Sequence, residues 1–336
     1  MRPTGNGMRS VVSGDMKHDP IEESEWIIMR VYGGIEAGGT KFVCVVGNGP
    51  DSILVEERFP TGEPDETIER AIVFFKRHTR ENELAAIGIA SFGPVDLDPR
   101  SPTYGYITTT PKPGWAQTDL YGKIKRSFDI PVAFDTDVNV AAFGEHYWVP
   151  ANRPLDPLLY MTIGTGIGVG GIVNGQPLHG LLHPESGHIF IPHDRQADPF
   201  PGACPYHGDC FEGLAAGPAL ARRWGQPGET LPADHPAWTL EARYIGLALA
   251  NLILSFSPQR VVVGGGVMQQ AGLYTLVQHE VQQIINGYIQ SDRINQHIDQ
   301  YIVPPALGNR SGVLGAIALA ATANRNWHER PDGTDE

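Results

Sequence analysis

Two stretches of this chain repeat one plan, and that repetition constrains the fold more than any other feature. VYGGIEAGGTKFVCVVG (31–47) and LLYMTIGTGIGVGGIVNGQ (158–176) each carry two apolar β-type runs joined by a turn of Gly and Thr. In the first, the runs cover 31–35 and 42–46, with EAGGTK between them. A chain that opens twice in this way predicts two α/β halves with a cleft between them, the usual place for a small ligand. The 336 residues suffice for two domains, each with its own core.

The elements around each hairpin agree with that plan. In the first half a third strand fits 52–59. Ile68, Ala71, Ile72 and Phe75 then recur at helical spacing over 65–78, and AAIGIAS (85–91) reads as a buried strand. A long Gly/Pro-rich loop, 92–115, interrupts the half, and loops of that length in a compact domain are usually functional. A helix at 117–127 and a strand at 131–134 lead into DTDVNVAAFGEH, a second helix with Asp135 or Thr136 as N-cap. In the second half the pattern predicts helices at 214–224, 237–256 and 270–286, strands at 260–264 and 299–303, and a closing helix at 311–323.

Between the second hairpin and its helices lies PESGHIFIPHDRQADPFPGACPYHGDCFE, residues 184–212. Cys204, His207 and Cys210 form a C-x2-H-x2-C knuckle, and thiolates and imidazoles are the preferred ligands of Zn²⁺, which takes four in a tetrahedron. His188 is the expected fourth, since E-x-x-H aims Glu185 and His188 into one space; His183 and His193 are its alternatives. The competing readings are reduced thiols near surface histidines, or a Cys204–Cys210 disulfide. A zinc here would do no chemistry of its own. It would staple a loop with little core so that Glu185, His188 and Glu212 converge on a polar small molecule. Cys44, in an apolar strand, reads as core packing.

Charge narrows the function classes. A formal charge of −13 argues against a general affinity for nucleic acid or anionic membrane, so anionic cofactors must be held by backbone amides or metal. No run of about 18 apolar residues occurs. No secretory signal is read at the N-terminus, so the cytoplasm is the expected location. The turns Gly38-Gly39-Thr40-Lys41 and Gly164-Thr165-Gly166 offer unhindered N–H groups for phosphate oxygens, and Gly264-Gly265-Gly266 precedes a helix. Asp137 opens a helix just after a strand, where a carboxylate can take a proton from a substrate hydroxyl; it could equally be an acid meeting a helix dipole. Glu36, at the first turn, could hold Mg²⁺ through water.

Taken together, these residues resemble the ROK family of sugar kinases and repressors, within the hexokinase/actin-like ATPase superfamily. IEAGGTK resembles the family's first phosphate loop, ASFGPVD its sugar-facing turn, DTDVNVAAFGE its catalytic-base motif and IGTGIGVGGIVNG its second phosphate loop. HPESGH, the cysteine knuckle and VVVGGGV resemble its sugar, metal and adenosine motifs. C-P-x-H-x-x-C and T-P-K-x-G-W are closest to the bacterial zinc-containing fructokinases.

The resemblance implies an α/β, two-domain, ribonuclease H-like fold with an interdomain cleft. Its expected parts are a mobile tail at 1–29, an N-terminal domain at 30–136, and a C-terminal domain at 137–310 with a zinc loop at 183–212. A helix at 311–323 would pack back on the N-terminal domain, ahead of a tail at 324–336. The implied activity is ATP-dependent phosphorylation of a hexose, D-fructose to D-fructose 6-phosphate. Mannose or glucose is the alternative substrate, and a sugar-responsive repressor the alternative of another class. Asp137 would be the base, with Gly93, Pro94, Thr136, Glu185, His188 and Glu212 around the sugar. Gly38, Gly39, Thr40, Lys41, Thr165, Gly166, Pro218, Gly264, Gly265, Gly266 and Val267 would surround ATP. His188, Cys204, His207 and Cys210 would hold a structural Zn²⁺, Glu36 would hold Mg²⁺, and the chain would form a homodimer. Where most family kinases have Asp, this chain has Glu36. Thr136 replaces the usual Asn before the base, which weighs against glucose or N-acetylmannosamine. The knuckle itself replaces the usual C-x-C-x4-C cluster.

Overall fold

The computed structural model describes residues 30–79 and 84–328, so the expected tail at 1–29 and the end of the one at 324–336 lie outside the described residues. Five strands of the first half form one sheet: β1 (Val31–Ala37), β2 (Lys41–Gly49), β3 (Ser52–Pro60), β4 (Leu84–Ser91) and β7 (Val132–Thr136), in the order β3-β2-β1-β4-β7. The pairs β3–β2 and β2–β1 are antiparallel, whereas β1–β4 and β4–β7 are parallel. Two-residue strands β5 (Tyr106–Ile107) and β6 (Thr118–Asp119) pair inside the long loop. The second sheet repeats the plan with β8 (Leu158–Ile163), β9 (Ile167–Val173), β10 (Gln176–Pro177), β11 (Arg260–Gly264) and β12 (Ile302–Val303), in the order β10-β9-β8-β11-β12. The same change from antiparallel to parallel pairing occurs at its centre.

Strand β2 shows why the first hairpin folds where it does. Side chains alternate across a strand, and every residue from Phe42 to Gly47 is buried, so both faces are covered. Phe42, Cys44 and Val46 pack with Ile68, Ile72 and Phe75 of α1 (Pro64–His78), leaving Cys44 a free core thiol. Val43 and Val45 point the other way, onto Val313, Leu314 and Ile317 of the closing helix. Each such buried side chain contributes about 2 kcal/mol. Helix α1 starts on Pro64, carries Asp65 and Glu66 in its first turn and ends on Lys76, Arg77 and His78, all favourable to its dipole.

Two helices fill the space between the sheets: α3 (Asp137–Trp148) and α10 (Ser311–His328). Helix α3 meets the second sheet through Ala142 against Leu158, Tyr160 and Val262, while α10 packs on both α3 and the first sheet. The far face of the second sheet is covered by α6 (Ala237–Phe256) and α7 (Leu273–Ile285), with Val261 and Val263 against Ile245, Leu249 and Val277.

Several local expectations change. The helix expected at 117–127 is α2 (Leu120–Lys125), because Asp119 caps it by accepting the N–H of Gly122 at 2.8 Å. The single helix expected at 214–224 is two, α4 (Phe211–Ala215) and α5 (Gly217–Trp224). Ala216 is extended there so that Gly217 N–H can donate to Gly164 O at 2.8 Å. Helix α7 begins at Leu273 rather than 270, after Gly272 at φ +81°. A short α8 (Asp292–Asn295) follows it. Most of the strand expected at 299–303 is helix α9 (Ile298–Tyr301), where Ile298 and Tyr301 bury one face, and only Ile302–Val303 is strand. The closing helix extends beyond 323, so 324–328 is helical rather than tail.

Candidate active site

A cavity of about 600 Å³ opens between the halves, and its charged walls are Glu36, Lys41, Arg58 and Asp137. Glu36 lies near the end of β1 and Lys41 starts β2, so the first hairpin delivers both. Arg58 arrives by strand pairing, opposite Val43. Asp137 is the first residue of α3, whose N-cap is Thr136: its Oγ1 accepts the N–H of Asn139 at 3.2 Å.

Burial pushes the Asp137 carboxyl up to about 7, and the negative charges of Glu36 and Glu185 add to the shift. The N–H of Val138, donating to Asp137 Oδ1 at 2.9 Å, opposes it. A carboxylate poised near neutrality is what proton removal from a hydroxyl requires. Burial raises Glu36 as well, against the pull of Lys41 and Arg58. Acid and cation therefore face each other across the space where a polyanion and its metal would sit.

On the zinc-loop side, His188, Cys204, His207 and Cys210 each offer one donor atom, and these atoms lie within 4.8 Å of one another. His188 Nδ1 is 3.7 Å from Cys204 Sγ and 3.5 Å from Cys210 Sγ, and His207 Nδ1 is 3.6 Å from Cys204 Sγ. Zn–S and Zn–N bonds at a tetrahedral angle place S and N about 3.6 Å apart, so the donor set fits a single zinc. All three cysteines are free, which removes the disulfide reading. The alternative fourth ligands are engaged elsewhere. His193 bonds Asp209 Oδ2 and Asp198 O, both at 2.9 Å, and His183 Nε2 accepts the N–H of Val95 at 3.0 Å.

That last bond matters for the sugar side. Val95 follows Gly93 and Pro94, so His183 ties the turn of the first half to the loop of the second, and its Nδ1 lies 3.4 Å from Glu185 Oε1. Glu185 is pushed up to about 7 by partial removal from water and by the charge of Glu212, although 45% of its side chain is exposed. Glu212, in α4 two residues after Cys210, accepts the N–H of Ile167 at 2.9 Å and so holds the second Gly/Thr turn. Gly187 has no room for a side chain, because a Cβ there would stand 1.8 Å from Ile167 O. The loop is thereby pressed against that same turn.

Among the described residues, the cavity takes in Glu36, Lys41, Asp137, Gly264 and Gly265 of the set expected from sequence. Gly38, Gly39, Thr40, Thr165, Gly166, Pro218, Gly266 and Val267 lie outside its lining, on the turns and helix starts around it. Thr136 is 3% exposed and uses one lone pair of its hydroxyl on the helix cap, which leaves its side chain little access to a substrate. Sequence reasoning missed Arg58, which no local motif marks, and the wall formed by Pro304, Pro305, Asn309 and Ser311, whose Pro-Pro and Gly308 signal only a loop. It also missed a buried network below the base: Asp135 bonds His179 Nε2 at 2.8 Å and Asn139 Nδ2 at 3.0 Å, and Asn139 Oδ1 accepts Gly171 N–H at 3.1 Å.

Comparison with known proteins agrees with this geometry. A fructokinase of Streptococcus mutans is 45% identical over 294 residues, covering 87% of this chain and 97% of that protein. A fructokinase of Zymomonas mobilis is 43% identical over 299 residues, covering 88% and 97%. The crystal structure of a ROK hexokinase from Thermus thermophilus superposes with a TM-score of 0.69 at 26% identity, covering 88% of this chain and 99% of that one. The sequence model of the ROK family matches residues 32–323, and with the duplicated sheets around a cleft this places the chain in the ROK family.

Proposed function

We propose that this protein transfers the γ-phosphoryl group of ATP to the 6-hydroxyl of D-fructose, releasing ADP and D-fructose 6-phosphate. The observation that carries the reading is Asp137, a carboxylate poised near 7 in a cleft whose other charged liners are Glu36, Lys41 and Arg58. Asp137 takes the hydroxyl proton as that oxygen attacks phosphorus, while the bond from phosphorus to the leaving ADP oxygen breaks. Backbone N–H groups of Gly39, Thr40, Thr165 and Gly166 cradle the triphosphate, and the cavity around Gly264 and Gly265 takes the nucleoside. Glu36 would hold Mg²⁺ through water, and the metal would supply neutralisation of the transferred phosphoryl charge. Fructose as the sugar is supported by the 45% and 43% identity to fructokinases over most of the chain.

The sugar sits against Gly93, Pro94, Glu185, His188 and Glu212. His188, Cys204, His207 and Cys210 would hold Zn²⁺, which would fix the His188 ring through Nδ1, the nitrogen beside both thiols, and free Nε2 for a sugar hydroxyl. Free thiols at all three cysteines suit a reducing compartment such as the cytoplasm. A homodimer belongs to this reading, with the exposed side chains of Leu181, Leu182 and Phe190 as apolar surface for it. The test is purified protein with MgATP and a panel of fructose, mannose and glucose, following ADP release and the position of the phosphate in the product. Fructose should give the highest kcat/KM and a 6-phosphate; absence of hexose-dependent ADP, or preference for glucose, contradicts the proposal.

A further inference from the structure

Glu145 lies at the far end of the helix that Asp137 begins, and it is completely buried. Its carboxylate gathers donors from one segment. Oε2 accepts the N–H of Ala306 at 3.1 Å, and Oε1 accepts the N–H of Leu307 at 3.0 Å and the hydroxyl of Ser311 at 2.8 Å. Asn152 adds its amide to Oε2 at 3.4 Å, and its own Oδ1 accepts from Arg260 at 2.6 Å, at the start of β11. A fully buried carboxyl with this many aimed donors is a fixed point of the fold, since a polar group away from water must have its hydrogen bonds met within the protein.

The segment it holds, between β12 and α10, is the wall of the cavity that carries Pro304, Pro305, Gly308, Asn309 and Ser311. The wall also meets the acid at the first hairpin: a Cβ on Gly312 would stand 2.9 Å from Glu36 Cδ. Helices α3 and α10 approach so closely that a Cβ on Gly315 would lie 1.9 Å from Val140 O, which leaves little slack between them.

We propose that Glu145 is a positioning residue that sets the nucleotide-facing wall, residues 304–312, in register with Asp137 and Glu36. It touches neither substrate. Through α3 the base is at one end and the clamp on the nucleotide wall at the other, so seating of ATP and placement of the base share one rigid element. The inference rests on the ATP-kinase reading above for what the cavity binds.

The test measures the Kd of MgATP by calorimetry without sugar, together with KM for both substrates, for Glu145→Gln and Ser311→Ala. An amide at 145 turns donors toward donors, so the Kd of MgATP should rise about tenfold, the scale of one lost hydrogen bond to a charged group, while KM for fructose stays within about twofold. Ser311→Ala removes one donor and should raise that Kd by about two- to threefold. A folded Glu145→Gln with unchanged Kd for MgATP, or with both KM values rising together, overturns the proposal. Should Glu145→Gln not fold, Ser311→Ala decides alone, an unchanged Kd again overturning it. Because the binding experiment contains no sugar, failure of wild type to phosphorylate fructose would leave it intact.

Discussion

The first Gly/Thr hairpin brings charge to the cleft through its own strands, with Glu36 on β1, Lys41 on β2 and Arg58 on the strand paired beside them. The second, β8 and β9, has no charged residue at all. What it has instead is external bracing: Glu212 on the N–H of Ile167, Gly187 against Ile167 O, and Gly217 on Gly164 O. The same supersecondary unit thus serves in two ways. Sheet and helices bury both faces of both copies, but only the first copy carries charged side chains into the cleft. The other offers bare backbone at its turn, which is braced by a loop that packs only a few apolar side chains such as Ile191 and is gathered by four metal-type ligands. Changes on the first wall should therefore act on the chemical step, and changes on the second on sugar binding and stability.

The largest effect expected is on the first wall. Asp137→Asn should reduce kcat by about 10²-fold or more with KM for fructose nearly unchanged, measured by steady-state kinetics. A wild-type kcat would leave Asp137 as a helix-terminal acid only. On the second wall, His188→Ala should lose bound zinc, seen by elemental analysis, and raise KM for fructose about tenfold while KM for ATP holds. If zinc and KM for sugar both survive, the two walls are not braced differently and the loop is held by its hydrogen bonds alone.

The smallest effect separates the walls by sign. Protonation of Asp137 is favoured in the fold, where the group titrates near 7 rather than at 3.8. The associated stability is fully present below pH 3.8 and is lost as pH rises through 7, so above 7 the ionised group weighs on the fold. Asp137→Asn should accordingly melt about 2–4 °C above wild type at pH 8, with the gap closing toward pH 4, whereas His188→Ala should melt below wild type at both. Calorimetry showing Asp137→Asn destabilised at pH 8 would remove the burial and repulsion argued for that carboxyl.

Much of this architecture is legible in the amino-acid sequence. The apolar runs of β1, β2, β8, β9 and β11 are buried on both faces, so composition alone marks them; the knuckle spacing points to Cys204, His207 and Cys210, and E-x-x-H to His188, the four donors that the structure gathers. The elements that depart from their expected spans are those set by distant partners. The break at Ala216 exists to reach Gly164, 52 residues earlier, and residues 298–301 are helical because Tyr301 seeks Pro258 O. Arg58, Glu145 and the tie that His183 makes escape for the same reason: strand register, a clamp on 306–311 and a bond to Val95 are contacts between segments far apart in the chain.

The most direct test is the pH dependence of kcat/KM for fructose at saturating MgATP, compared between wild type and Asp137→Asn. Ionised Asp137 is the active form, so wild type should climb tenfold per pH unit below about 7 and level off above it. Asp137→Asn should run at least about a hundredfold lower at pH 8, and any inflection it keeps near 7 belongs to Glu185, the other cleft carboxyl raised to that range. An Asp137→Asn profile with the same inflection and height as wild type would show that another group removes the proton, and the account of the cleft would fail.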